Sequence, residues 1–294
     1  MSNTKIPKVK FALITGSTSW GLRIPEDIDE QGVKVVARDL SFATPWGETG
    51  EWKLLEFDAK LTADGNARRV LCVFSHGWPQ DQIDHGASRR VFWVLREAGV
   101  ERVLTGSTIG SLNKGILERD FVIASDIIEL TQTAYSLLPG RFGYDCSGKQ
   151  LFCPVCAKIV EDVARSLWPA DARVYGHSAG LVAGHSWGPR LQSPAEANAY
   201  RSLGADIINH SLAPEATLAR EIGVCFANVS FVTAPYLNYF TPANIKVLGA
   251  DTQRTLAPIA SRIALRSIAR FPEGAQCLCS GLRSSQPAAN GERR

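Results

Sequence analysis

"WGPRLQSPAEANAYRSLGADIINHSLAPEATLAREIGVCFANVSFVT", residues 187–233, lays out a helix, a strand, a second helix and a second strand in direct succession. Ser193-Pro194-Ala195-Glu196 is a capping box with proline in the first turn. Pro214-Glu215 repeats proline followed by an acid, a charge that suits the positive end of a helix. These signals predict helices over 194–203 and 214–222. The apolar runs at 205–209 and 224–232 are strand-like in length and composition.

The same alternation extends through the rest of the chain. Strands are expected at 9–15, 33–42, 51–57, 69–75, 102–106, 120–125 and 172–176, with helices at 86–99 and 154–168. A further helix is expected within 243–270, where Ile245, Leu248, Leu256, Ile259, Ile263 and Ile268 recur at helical spacing. The pattern is that of an α/β fold in one domain, residues 1–271. After Phe271 the composition turns to Gly, Ser, Gln, Pro and Arg, and 272–294 is expected to be a disordered tail.

The chain has 294 residues, 45% of them hydrophobic, which is enough for a substantial core. Its net charge is +3 with no block of five like charges, which argues against nucleic acid as a partner. The first residues lack a signal core, and no apolar run approaches the roughly 20 residues of a membrane span. A cytoplasmic protein without membrane contact is expected. Seven cysteines are an odd number for a disulfide framework. Cys153-Pro154-Val155-Cys156 would need a second pair to hold zinc, and the closest, Cys277/Cys279, falls in the polar tail. The C-x-x-C is therefore read as the start of a helix, and no metal or cofactor is expected.

Gly176-His177-Ser178-Ala179-Gly180 spells the G-x-S-x-G elbow of a serine hydrolase. Its surroundings do not fit. The five histidines are His76, His85, His177, His185 and His210, so a base after Ser178 leaves no room for the usual intervening elements. The elbow helix would have to absorb Gly180, Gly184, Gly188 and Pro189. A strand end followed by a turn is the plainer reading.

Several stretches together resemble the purine nucleoside phosphorylase superfamily, closest to its trimeric methylthioadenosine phosphorylases. They are "ALITGSTSWG" (12–21), "TPWG" (44–47), "HGW" (76–78), "GVERVLTGSTIGSLNKGILERDFVIASDIIELT" (99–131), "FCP" (152–154), "GPR" (188–190), "AEANAYRSLGAD" (195–206) and "PEATLAREIG" (214–223), spanning about 9–237. The resemblance implies a nucleoside phosphorylase-like fold, a central mixed twisted β-sheet flanked by helices, and a homotrimer. It also implies a small-molecule substrate, a purine nucleoside or methylthioadenosine-like compound cleaved at its C–N glycosidic bond.

By the same resemblance, Ser17, Ser107, Thr108 and Ser211 fall where the family presents hydroxyl and N–H groups to phosphate, with His76 beside them. The family's arginine before the His-Gly pair is Ser75 here, which removes a bidentate partner for a dianion. At the base, the family's Asp or Asn is Ala234, followed by Pro235, with Tyr236 near a second acidic position. The glutamate before "GPR" is Trp187, and the methionine under the ribose is His210. Asp145 stands near the 5′-substituent; Trp20, Trp78 and Asn209 complete the pocket. His210 and Tyr236 are the candidate catalytic groups, because imidazole suits proton transfer and a phenol can hydrogen-bond. The scaffold is kept while its charged groups are replaced, so ordinary phosphorolysis is in question. The alternative is a relative repurposed for lyase, isomerase or cyclase chemistry on a more apolar metabolite in specialised biosynthesis. A non-catalytic binding or trimer-forming relative is the third reading.

Overall fold

Phe11, Ala12, Leu13 and Ile14 are all buried, so the first strand needs apolar cover on both faces. Phe11 and Leu13 face one hydrophobic core, Ala12 and Ile14 another, as the two-residue period of a strand requires. The computed structural model describes residues 5–74, 86–130, 136–137, 151–188, 190–236, 249–274 and 277–279. They form β1 (Phe11–Thr15), β2 (Val33–Leu40), β3 (Ala43–Thr44), β4 (Gly47–Glu48), β5 (Trp52–Phe57), β6 (Arg68–Phe74) and α1 (Ala87–Ala98). Next come β7 (Arg102–Ser111), β8 (Phe121–Val122), β9 (Asp126–Glu129), α2 (Pro154–Leu167), β10 (Val174–Tyr175) and β11 (Val182–His185). The series ends with α3 (Pro194–Ser202), β12 (Ile207–Asn209), α4 (Leu212–Glu221), β13 (Cys225–Ala234) and α5 (Ala250–Arg270).

Eleven of these strands make one mixed sheet in the order β10-β8-β13-β7-β1-β6-β5-β2. It forks at β7, which pairs in parallel with β1 and β13 and, through Gly110 and Ser111, antiparallel with β12. β12, β11 and β9 continue that second limb. Helices α1 and α4 supply Val91, Phe92, Leu212 and Ala216 to one core; α2 and α5 supply Cys156, Val160, Leu256 and Ile263 to the other. The expected fold class, a central mixed sheet flanked by helices, is what the chain forms.

Local signals explain the helix starts. Ser193 accepts from the Glu196 N–H at 3.2 Å while Glu196 accepts from the Ser193 N–H at 2.7 Å, closing the capping box. Cys153 is the N-cap of α2 with Pro154 in the first turn, as its motif suggests. Residues 174–180 are a short strand, a 3-10 turn and Gly180 at φ +72°, with Ser178 exposed; the chain then enters β11. No helix follows the serine, so this is not a nucleophile elbow. The short strands β3, β4, β9 and β11 carry no strong periodicity and escape a sequence reading. Ile245 and Leu248 lie outside the described residues.

The first part of the segment that composition assigns to a tail packs on the body. Arg68, at the start of β6, donates to the Ile268 and Phe271 carbonyls at 3.0 and 2.7 Å, satisfying the end of α5. Arg102, fully buried at the start of β7, donates to the carbonyls of Pro272 and Gly274. Cys279 is 7% exposed. Residues 280–294 lie outside the described residues.

Two positions carry strong constraints. Gly249, the N-cap of α5, has φ +72°, and a Cβ there would lie 2.5 Å from the Thr233 carbonyl oxygen. Gly249→Ala is therefore expected to destabilise the fold by about 1–3 kcal/mol, read as a lower urea midpoint. Glu215 is 1% exposed, and Thr105 Oγ1 donates to its Oε2 at 2.6 Å. Burial pushes this carboxyl up to about 7 from 4.5, the threonine opposing only in part. The folded state then binds the proton more tightly than the unfolded chain, and this contribution to stability is lost as pH rises from about 4.5 through 7. Glu215→Gln keeps an acceptor for Thr105 and is expected to melt higher than wild type at pH 8 relative to the same pair at pH 5, by differential scanning calorimetry.

Candidate functional site

A glycine-dependent approach shapes the carboxyl-terminal half of β7. A Cβ on Gly106 would lie 2.3 Å from Thr18 Oγ1, so the bare backbone there lets the loop after β1 lie against the strand. That contact brings Ser17 to Thr108. Ser17 Oγ accepts from the Thr108 N–H at 2.8 Å and from Thr108 Oγ1 at 2.9 Å, and keeps its own O–H to donate. Gln253, from the first turn of α5, donates to the Ser17 carbonyl.

Asn209 ties this pair to the start of α4. Its Nδ2 donates to Ser107 Oγ at 3.0 Å and to the Thr108 carbonyl at 2.9 Å. Its Oδ1 accepts from the N–H groups of Ser211 and Leu212, both at 2.7 Å, and from Ser211 Oγ at 3.2 Å. The two N–H donors fix which end of the amide is oxygen. Asn209 is 4% exposed and has both donor hydrogens used, so it braces the site from behind. Ser107, fully buried, also shares a hydrogen bond with Ser230 Oγ at 3.3 Å. Ser17, Thr108 and Ser211 are the half-buried members of the set. Asn209 thus links three hydroxyls at one end of the sheet; Thr108 and Ser211 spend theirs on Ser17 and Asn209, and the Ser17 O–H is left to donate to an oxyanion.

His210 stands between Asn209 and Ser211, but its ring turns toward β11, where Nδ1 meets the Ser186 carbonyl. A carbonyl only accepts, so Nδ1 carries the proton and Nε2 keeps a lone pair. Burial lowers the imidazole pKa, with the Ser186 contact opposing, and the ring is neutral at pH 7. Trp187, next along the same limb, meets the His185 ring edge-on at 4.7 Å.

Ala234 closes β13 opposite Gly110, past an irregularity in register. Tyr236 follows, with Lys114 Nζ 5.7 Å from its ring centroid. Trp20 is 61% exposed, packs edge-on to Phe74 and lines a hollow of about 1050 Å³ with Thr15, Lys53 and Arg90. Thr108, Asn209, His210 and Ser211 do not line that hollow. His76, Trp78 and Asp145 lie outside the described residues. Sequence reasoning missed Gly106, Thr105, Glu215, Ser230 and Gln253. Thr105, Ser107, Asn228 and Ser230 were visible as polar residues on otherwise apolar strands, a pattern that calls for buried partners.

A sequence model of the Phosphorylase superfamily matches residues 29–267. The S-methyl-5′-thioadenosine phosphorylase of Pyrococcus horikoshii is 31% identical over 281 residues, covering 92% of this chain and 96% of that protein. A 6-oxopurine nucleoside phosphorylase of Pyrococcus furiosus is 34% identical over 166 residues, covering 54% of this chain and 59% of its own length. In fold, the chain is similar to a solved methylthioadenosine phosphorylase from an Antarctic soil metagenomic library, with a TM-score of 0.71 at 21% identity over 90% of this chain and 86% of that one. A match running from β2 into α5, and a relative matched over nearly its whole length, lead to one conclusion: the chain belongs to the phosphorylase superfamily.

Proposed function

We propose that this protein is an enzyme that breaks the C–N glycosidic bond of a purine nucleoside or a methylthioadenosine-like substrate. The observation that carries this reading is the hydrogen-bonded set of Ser17, Thr108, Asn209 and Ser211, which gathers hydroxyls from three distant segments at one end of the sheet. Relatives named for methylthioadenosine and 6-oxopurine nucleosides support the substrate class. An oxyanion nucleophile held by these groups attacks C1′, the C–N bond breaks, and its electron pair leaves with the purine, which takes up a proton. The developing charge on the sugar is positive, so an anion beneath the ring stabilises the transition state.

Neutral hydroxyls are weaker anion partners than a guanidinium, and Ser75 replaces the arginine implied by the resemblance. Phosphate is thus bound weakly, and phosphorolysis saturates only at high phosphate. The base, facing Ala234 and Pro235, receives little polar help from that strand end. A homotrimer is the assembly expected from the resemblance to the trimeric branch, and light scattering on the purified protein checks it.

A second reading rests on His210. A neutral imidazole with a lone pair on Nε2 is a ready proton acceptor, which fits non-phosphorolytic acid/base chemistry on a more apolar metabolite. The experiment is purine release from methylthioadenosine and from inosine, with phosphate varied, followed by chromatography. Release that rises with phosphate supports the first reading. No release, together with no purine binding by calorimetry, overturns it.

Asn209→Ala leaves Ser107, Thr108 and the first turn of α4 without their brace and is expected to lower kcat/KM at least tenfold, roughly the worth of one or two hydrogen bonds. His210 separates the readings. Its protonation below the lowered pKa puts a positive charge beside a cationic sugar, so wild-type purine release is expected to fall in acid. His210→Met is expected to keep release and lose that acid limb, measured as rate against pH; complete loss of turnover would favour the acid/base reading.

A further inference from the structure

Five of the described cysteines gather on the face of the sheet covered by α2 and α5, away from the hydroxyl set. The Sγ atoms of Cys153, Cys225, Cys277 and Cys279 all lie within 4.8 Å of one another. The Cys225 and Cys277 sulfurs are 3.3 Å apart. A tetrahedral zinc–thiolate centre has Zn–S bonds of about 2.3 Å, which puts sulfurs about 3.8 Å apart, so small side-chain adjustments convert this cluster into a closed coordination shell. Cys153, Cys225 and Cys279 are buried, and Cys277 is half-buried.

A second observation points the same way. Arg102 is fully buried, and among the described residues no carboxylate pairs with it. Its Nη1 instead lies 3.1 Å from Cys225 Sγ and 3.9 Å from Cys156 Sγ, while Nε and Nη2 go to the carbonyls of Pro272 and Gly274. A buried guanidinium needs a compensating negative charge. Four thiolates around a divalent ion carry a net double negative charge, in contact with this arginine. Cys153, as the N-cap of α2, also sits at the positive end of a 14-residue helix.

We propose that Cys153, Cys225, Cys277 and Cys279 form a structural site for one zinc ion, with Arg102 as its buried counter-charge. The ion binds as the thiol protons leave for solvent, and no electrons are transferred. Four protein ligands close the shell, so the site has no open position for a substrate. Its effect is to fasten the C-terminal segment to α2 and β13. Spacing alone hides it, because the ligands come from the start of a helix, the first residue of a strand and a segment that reads as tail. This inference is independent of the glycosidic reading.

The test uses the full chain, purified under reductant without chelator from cells given zinc. Elemental analysis is expected to find about one zinc per chain. Replacement by Co²⁺ is expected to give sulfur-to-metal charge-transfer bands and the intense visible bands of tetrahedral thiolate coordination, a readout that needs no variant. The double variant Cys277→Ser, Cys279→Ser is expected to lose the metal, and Cys72→Ser, buried elsewhere in the core, to retain it. Metal-free wild type that also takes up neither Zn²⁺ nor Co²⁺ overturns the proposal. So does a denatured mass, taken on protein isolated without reductant and with its free thiols blocked at lysis, that shows these cysteines joined as disulfides.

Discussion

The side-chain amide of Asn209 locks the start of α4 onto β7, beyond what the backbone pairing of β12 with β7 achieves. One end of it grips Ser107 and Thr108 on β7; the other grips the N–H groups of Ser211, the N-cap of α4, and Leu212, its first residue. An amide is well suited to this because it offers donors and an acceptor on opposite sides of one rigid plane. Leaving any of these buried groups unmade would cost about 1–3 kcal/mol, so register between strand and helix is strongly specified. Ser17 joins through Thr108, and only because Gly106 lets its loop come close enough. This hydroxyl set thus depends on one buried amide and one missing Cβ.

Behind that layer lies a second one. Thr105 and Glu215 pair beneath the site, while Asn228 donates to Ser230 at 2.8 Å and Ser230 contacts Ser107. These polar groups sit in strands that are otherwise apolar, where the low dielectric makes each satisfied bond count for more and each unsatisfied one costly. The outward hydroxyls are oriented by neighbours that never meet solvent.

Much of this was legible in the chain. One capping box, prolines in first turns and apolar runs located α1 to α4 to within two residues, because each is a local signal; α5 was placed only inside 243–270, and β7 runs past the expected 102–106 to Ser111. Short strands such as β9 and β11 escaped, since four residues paired only with distant partners leave little trace in composition. The hydroxyl set was legible only through resemblance, and the partners that orient it were not. A buried threonine looks like any strand threonine until its glutamate arrives from 110 positions along the chain. The residues just after Phe271 hide their contacts for a related reason. Gly, Ser and Pro after Phe271 suggest solvent, yet the carbonyls of Pro272 and Gly274 answer a buried arginine from β7.

The fork at β7 divides the molecule into a trunk and a limb with different histories open to them. Ser17 and Thr108 belong to the trunk, whose strands are locked between two cores. Trp187 and His210 follow the ends of β11 and β12, on a limb tied to the trunk by the pairing of β12 with Gly110 and Ser111 and by the Asn209 side chain. A graft on such a branch can change its fruit without disturbing the root. A change at Trp187 or His210 therefore leaves the parallel pairing of β1, β7 and β13 untouched.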